Sequence, residues 1–116
     1  HEAVEEPAFS DPPIEVVVNI QGTEGGHFLK TVIVFLYDKK KYKDLGAVLK
    51  ERSPEFKNII VDELSSRSME DLQRPNAREE IRTALKRLVN RQLDMAKNKK
   101  KRGKIVEVLI NEFIIQ

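Results

Sequence analysis

The side chains able to act as acids, bases, nucleophiles or metal ligands are few and scattered. His1 and His27 are the two histidines, and neither has an acid or a second histidine at metal-ligand spacing. His27 follows a glycine-rich stretch and reads as a loop or strand-edge residue. The chain has no cysteine, which excludes disulfides, thiolate nucleophiles and Cys-based zinc sites. Gly22-x-x-Gly25-Gly26 lacks the Lys-Ser/Thr pair of a phosphate loop. It also joins two strand-like segments, where a phosphate cradle needs a helix N-terminus. Ser65, Ser66 and Ser68 have no histidine to serve as their base. Glu79 and Glu80 fall on the polar side of a helical pattern, where nothing raises a carboxyl pKa. The residues therefore point to no enzyme, no cofactor and no metal site, and binding is the function class left.

One charge pattern stands out. Lys97, Lys99, Lys100, Lys101, Arg102 and Lys104 place six cations and no acid in eight residues, whereas the rest of the chain holds 15 basic residues against 19 acidic. The basic balance is thus local, and the surface as a whole is not a polyanion footprint. This run is a candidate contact with an anionic protein or a membrane surface. A solvated helix end explains it equally simply, because cations suit a helix C-terminus. A cytosolic nucleic-acid-binding domain using residues 97–104 is the alternative of a different class. No aromatic residue is interleaved there for base stacking, so a nucleic-acid partner is not expected.

The elements that would position these residues follow from periodicity. Residues 1–13 carry three prolines and four acids and read as a flexible, extended linker. Order is expected from Ile14, where Ile14, Val16, Val18 and Ile20 alternate with other residues as one apolar strand face. The glycine-rich stretch 21–26 makes a hairpin loop. Phe28 to Tyr37 is a longer strand, apolar on both faces, which predicts a central strand covered at least partly on both sides. A helical period runs through Tyr42, Leu45, Val48 and Leu49, weakened by Gly46. Ser53-Pro54-Glu55 predicts a new helix with Ser53 as N-cap, burying Phe56, Ile59, Ile60 and Leu64. Ser68-Met69-Glu70-Asp71 opens a single turn ending near Leu72. Asn76 and Glu79 suggest a capping box for the longest helix, which runs to about Ala96 with Ile81, Leu85, Leu88, Val89 and Gln92 on or near one stripe. Ile105 to Ile115 is strand again. The expected fold is α+β, in the order β-β-α-α-α-β, with helices on one face of a small sheet. No apolar run approaches the roughly 18 residues a membrane-spanning helix requires, so the chain is either cytosolic or follows an anchoring segment.

Several of these residues together resemble the extracytoplasmic domain of the flagellar basal-body protein family FliL. The resemblance runs from Val18-Asn19-Ile20 through Phe28-Leu29-Lys30, Pro54 and Ile59-Ile60. Its most specific stretch is Leu64-Ser65-Ser66-Arg67-Ser68-Met69-Glu70-Asp71-Leu72. Asn90 late in the long helix and the ending Phe113-Ile114-Ile115-Gln116 complete it. The resemblance implies a stomatin/prohibitin-like (SPFH-like) fold for residues 14–116 and a single-pass protein of the inner membrane whose domain lies on the periplasmic side. Residues 1–13 would then be the linker after a membrane helix. The implied partners are further copies of the chain, in a ring or other homo-oligomer, and flagellar stator proteins of the MotA/MotB type. The implied role is non-enzymatic support of torque and swimming.

Overall fold

The computed structural model describes residues 3–116. Its elements are β1 (Pro7–Phe9), β2 (Ile14–Asn19), β3 (Phe28–Asp38), α1 (Leu45–Glu51), α2 (Ser53–Ser65), α3 (Met69–Gln73), α4 (Ala77–Asp94), a 3-10 turn (Lys99–Lys101) and β4 (Ile105–Ile115). The α+β class is as expected, but against the order β-β-α-α-α-β there is one strand more, β1, and one helix more, because the turn Met69–Gln73 forms a helix of its own. The four strands pair antiparallel around β3. β4 runs along one edge of β3, and β1 and β2 lie in tandem along the other.

The hairpin of β2 and β3 forms where the glycines are. Gly22 and Gly25 have φ of 81° and 80°, left-handed conformations that cost a residue with a Cβ about 1 kcal/mol or more. The Ile20 N–H donates to the His27 carbonyl at 3.0 Å and closes the loop.

The chain is ordered before Ile14, contrary to the linker expectation. β1 pairs Pro7, Ala8 and Phe9 with Asp38, Tyr37 and Leu36. Two polar side chains make this possible, and neither is visible as local pattern. The Asp38 carboxylate accepts from the Glu5 and Glu6 amides, each at 3.1 Å. Ser10, buried, accepts at Oγ from the Phe35 amide at 2.8 Å, and its own amide donates to the Phe35 carbonyl. Five residue steps from Phe9 to Ile14 face only three on β3, from Leu36 to Ile33. The surplus at residues 10–13 is what separates one long edge into two strands.

The helices cover one face of the sheet. Ile14, Val16, Val18 and Ile20 point to them, with Leu29, Ile33, Phe35 and Tyr37 from β3 and Ile105 and Val108 from β4, all within one buried cluster. α4 contributes Ile81, Leu85, Val89 and Leu93, each fully buried, at four-residue spacing. Burial of each such side chain is worth roughly 1.5–3 kcal/mol. Leu88 and Gln92, expected on the stripe, are only half-buried. Phe35 and Phe56 meet edge to face, with centroids 6.0 Å apart. Gly46 sits where a Cβ would strike the Tyr37 hydroxyl, so close approach explains the glycine within α1.

Two helix starts differ from expectation. Ser53 is the first residue of α2 and not its cap, and the preceding residue, Arg52, makes no side-chain cap bond. Asn76 precedes α4 but its side chain caps nothing, so no box forms with Glu79. The Ser68 turn does form a full capping box. Ser68 Oγ accepts from the Asp71 amide, and the Asp71 carboxylate accepts from the Ser68 amide, both at 3.2 Å. α4 ends at Asp94, two residues short of the expected Ala96.

Candidate interaction surfaces

No group of three or more His, Cys, Asp or Glu side chains able to hold a metal ion occurs among the described residues. His27 Nδ1 lies 3.2 Å from the Gln116 carbonyl, at the end of the sheet where Phe28 and Gln116 exchange two backbone bonds of 2.9 Å. It is a strand-end residue. His1 lies outside the described residues. The serines are all engaged locally: Ser65 and Ser66 donate to the Asp62 and Glu63 carbonyls, and Ser68 caps α3. Asp38 and Asp71 have carboxyls held below the ordinary aspartate range. For Asp38 the first cause is the Glu5 amide, with further help from the amides of Glu6, Lys40 and Lys41. For Asp71 it is the Ser68 amide. Both shifts come from bonds that hold the fold.

The basic run does not act as one patch. Asn98 caps the 3-10 turn by accepting from the Lys100 amide at 3.0 Å. Lys101 turns back to Glu51, 3.3 Å away. Arg102 Nε donates to the Ala96 carbonyl at 2.7 Å and so closes the C-terminal end of α4. Gly103 packs so tightly on Leu45 that a Cβ there would lie 2.9 Å from the leucine. The run is thus pinned to the start of α1.

A cleft opens beside that contact. It is lined by Tyr42, Arg87, Asn90, Arg91, Asp94, Lys99, Arg102, Gly103 and Lys104. Of the six candidate residues, Lys99, Arg102 and Lys104 reach it, while Lys97, Lys100 and Lys101 do not line it. Arg87 and Arg91, one turn apart on α4, join from a different part of the chain. Arg87, Arg91, Lys99 and Lys104 make no ion pair among the described residues. The cleft is therefore strongly cationic, with Asp94 as its one acidic lining residue. Sequence reading missed the two arginines, although their four-residue spacing on the polar side of α4 was the signal. Asn90 holds the floor of the cleft together. Its Oδ1 accepts from the Ile105 amide at 2.7 Å, and its Nδ2 donates to the Ile105 carbonyl at 3.1 Å.

The second surface is the side of the sheet away from the helices. Cross-strand partners share a face, so the pairs Leu36 with Phe9, Lys30 with Val17 and Ile114, Val34 with Leu109, and Val32 with Glu15 and Glu112 all lie there. β3 is central, as its apolar character on both faces predicts, but no element among the described residues covers this side. Phe9, Val17, Phe28 and Ile114 are four of the five large hydrophobic residues left exposed, with Val17 at 62% and Phe9 at 57%. They share this side of the sheet in two apolar groups, Val17, Phe28 and Ile114 around Lys30 and Phe9 beside Leu36, divided by the row Glu15, Val32 and Glu112.

No helix among the described residues is long and apolar enough to cross a membrane. A search of curated proteins returned no match. A family model described as flagellar basal body-associated protein FliL matches residues 12–116. That match spans nearly the whole chain, and the chain belongs to the FliL family, which makes it a flagellar-associated motility component from a family not known for enzymes.

Proposed function

We propose that this domain is a non-enzymatic component of the flagellar motor that lies on the periplasmic side of the inner membrane, associates with further copies of itself and docks with stator units of the MotA/MotB type. In this reading a membrane helix precedes the chain, and the fold is of the stomatin/prohibitin kind. The observation that carries it is the uncovered apolar sheet face. A sheet side with Val17 and Ile114 exposed on either side of Lys30, and Phe9 exposed beside Leu36, suits a partner that removes these groups from water. Phe9, Val17 and Ile114 are about half exposed, so covering each would contribute about 1 kcal/mol, enough for a contact among proteins already concentrated in a membrane plane. A head-to-tail contact that uses this face on one copy and a different surface on the next can close a ring.

The test introduces charge where the contact would be. The variant Val17→Glu/Ile114→Glu in the full-length protein keeps its thermal stability, because both positions are exposed, and loses in-cell crosslinking to itself or to stator proteins, with a loss of swimming. Undiminished crosslinking and swimming in that variant would remove the sheet face from the account. Motility and stator occupancy unchanged after deletion of residues 14–116 would remove the function.

A further inference from the structure

Two lysine clusters that are far apart in sequence meet at one end of the molecule. The first is the turn after β3, where Lys39, Lys40, Lys41 and Lys43 surround Tyr42. The second is the cationic cleft, which Tyr42 also lines, with Arg87, Arg91, Lys99 and Lys104. They meet because β4 starts opposite the end of β3, with Ile105 paired to Tyr37, and because Gly103 seats on Leu45. Acids offset part of this charge. Glu5 lies 3.6 Å from Lys40 and Glu51 lies 3.3 Å from Lys101. Asp94 lines the cleft, Glu6 and Asp44 are exposed beside the first lysine cluster, and the Asp38 carboxylate, though held by backbone amides, keeps its negative charge; the cations still outnumber these acids.

The N-terminal segment leaves the fold at this same end. β1 begins opposite Asp38, the Glu5 and Glu6 amides bind the Asp38 carboxylate, and the Glu6 carbonyl accepts from the Lys39 amide at 2.9 Å. The described chain, from Ala3, therefore begins at the basic pole. The opposite end, with the Gly22–Gly26 loop and Gln116, lies the length of an 11-residue strand away, about 36 Å at 3.3 Å per residue.

We propose that this basic pole is a docking surface for the anionic phosphate headgroups of a lipid bilayer. The inference rests on the reading that a membrane helix precedes the chain, since such an anchor draws the chain out from this pole and brings it to the bilayer first. The chemistry fits a charged plane better than a stacked base. The cations come from three separate elements and spread over one end of the domain, and the single aromatic among them, Tyr42, already has the Lys41 ammonium 5.7 Å from its ring centroid. Juxtamembrane cations are drawn to anionic headgroups over about a Debye length, roughly 8 Å at physiological salt. The docked domain stands with its strands rising from the membrane and its apolar sheet face to the side, available to a neighbour in the same plane.

The test is flotation of the 116-residue chain with vesicles of phosphatidylcholine alone or mixed with phosphatidylglycerol. Binding to the mixed vesicles alone, weakening as salt rises, is the expected result. The variant Arg87→Glu/Arg91→Glu should lower that binding by about tenfold or more. The variant Lys57→Glu/Arg74→Glu, with the same change in net charge at exposed positions away from the pole, should stay within about twofold. Equal losses in the two variants, no preference for phosphatidylglycerol, or displacement by millimolar inorganic phosphate would each overturn the proposal, the last by indicating a compact phosphate site. Fractionation of the full-length protein separates the two readings. If it sediments with membranes while the chain ignores anionic vesicles, the docking surface is wrong and the anchor stands; if it stays soluble, the anchor reading itself is wrong.

Discussion

Asn90→Ala would remove the side-chain hydrogen bonds that join α4 to the first residue of β4. The Asn90 amide meets both backbone groups of Ile105, at 2.7 and 3.1 Å, and so acts there as a neighbouring strand would. Alanine leaves the amide and carbonyl of Ile105 without these partners, next to a side chain that is 1% exposed. Each bond contributes about 0.5–1.5 kcal/mol net, so the two together amount to about 1–3 kcal/mol. For a chain of this size that lowers Tm by roughly 4–12 °C. Asn90→Asp is the sharper probe. It keeps an acceptor for the Ile105 amide but sets a carboxylate oxygen against the Ile105 carbonyl, so it should be destabilised as well. Thermal denaturation followed by circular dichroism gives Tm, and amide exchange at Ile105 reports the local opening. If Asn90→Ala melts within about 2 °C of the parent and the Ile105 amide exchanges no faster, the clip is not holding β4.

The Asp38 carboxylate gives a pH dependence with a definite sign. Its folded pKa lies below that of an ordinary aspartate, first because of the Glu5 amide. A depressed folded pKa means its stabilisation is fully present above the unfolded value and is lost as pH falls from there through the folded value. Below about pH 4, therefore, the Glu5 and Glu6 amides should exchange faster while those of β2 remain protected, and Asp38→Asn should remove that pH dependence. Gly46→Ala should destabilise by about 1–3 kcal/mol, the usual cost of overpacking, although alanine is the better helix former by about 1 kcal/mol. Adding Tyr37→Phe, which takes away the hydroxyl in the way, should recover part of the lost Tm; no recovery would place the cause elsewhere.

What could be read from the sequence was whatever a local pattern specifies. The alternation from Ile14 to Ile20, the glycines at 22 and 25, the Ser68–Asp71 box and the four-residue spacing of α4 each need only a short window, and all recur in the structure. β1 did not show, because its stability comes from Asp38 and Ser10, which act across 33 and 25 positions. Ser53 read as a cap because Ser-Pro-Glu is a common helix start, but α1 ends directly at Arg52 and the chain enters α2 with no extended cap residue between. Both candidate surfaces were half-legible. Apolar residues on both sides of β3 marked its second face without saying whether anything covered it. The basic run marked one wall of the cleft, while Arg87, Arg91 and Tyr42 arrive only when α4, β4 and the turn after β3 are brought together.

Most of the polar residues that carry the family resemblance are spent inside the fold. Ser68 and Asp71 bond each other's amides, Arg67 pairs with Glu63 at 2.8 Å and lies 3.6 Å from Glu80, and Gln21 donates from its amide to the Arg67 carbonyl. This fastens the stretch from Leu64 to Leu72 beneath the end of β2. Asn90 is fully engaged by Ile105, and Gln116 ties the end of β4 to Phe28. A motif composed this way specifies which domain the chain makes and leaves open what the domain touches. The groups free to meet a partner are Phe9, Val17 and Ile114 on the bare sheet face, Arg87, Arg91 and Lys99 in the cleft, and the lysines after β3, and the motif contains few of them. Substitutions at the motif should therefore act through folding and impair every interaction together. Substitutions on the sheet face or in the cleft should separate the interactions from one another while the domain stays folded, and that separation is how the two surfaces can be assigned their partners.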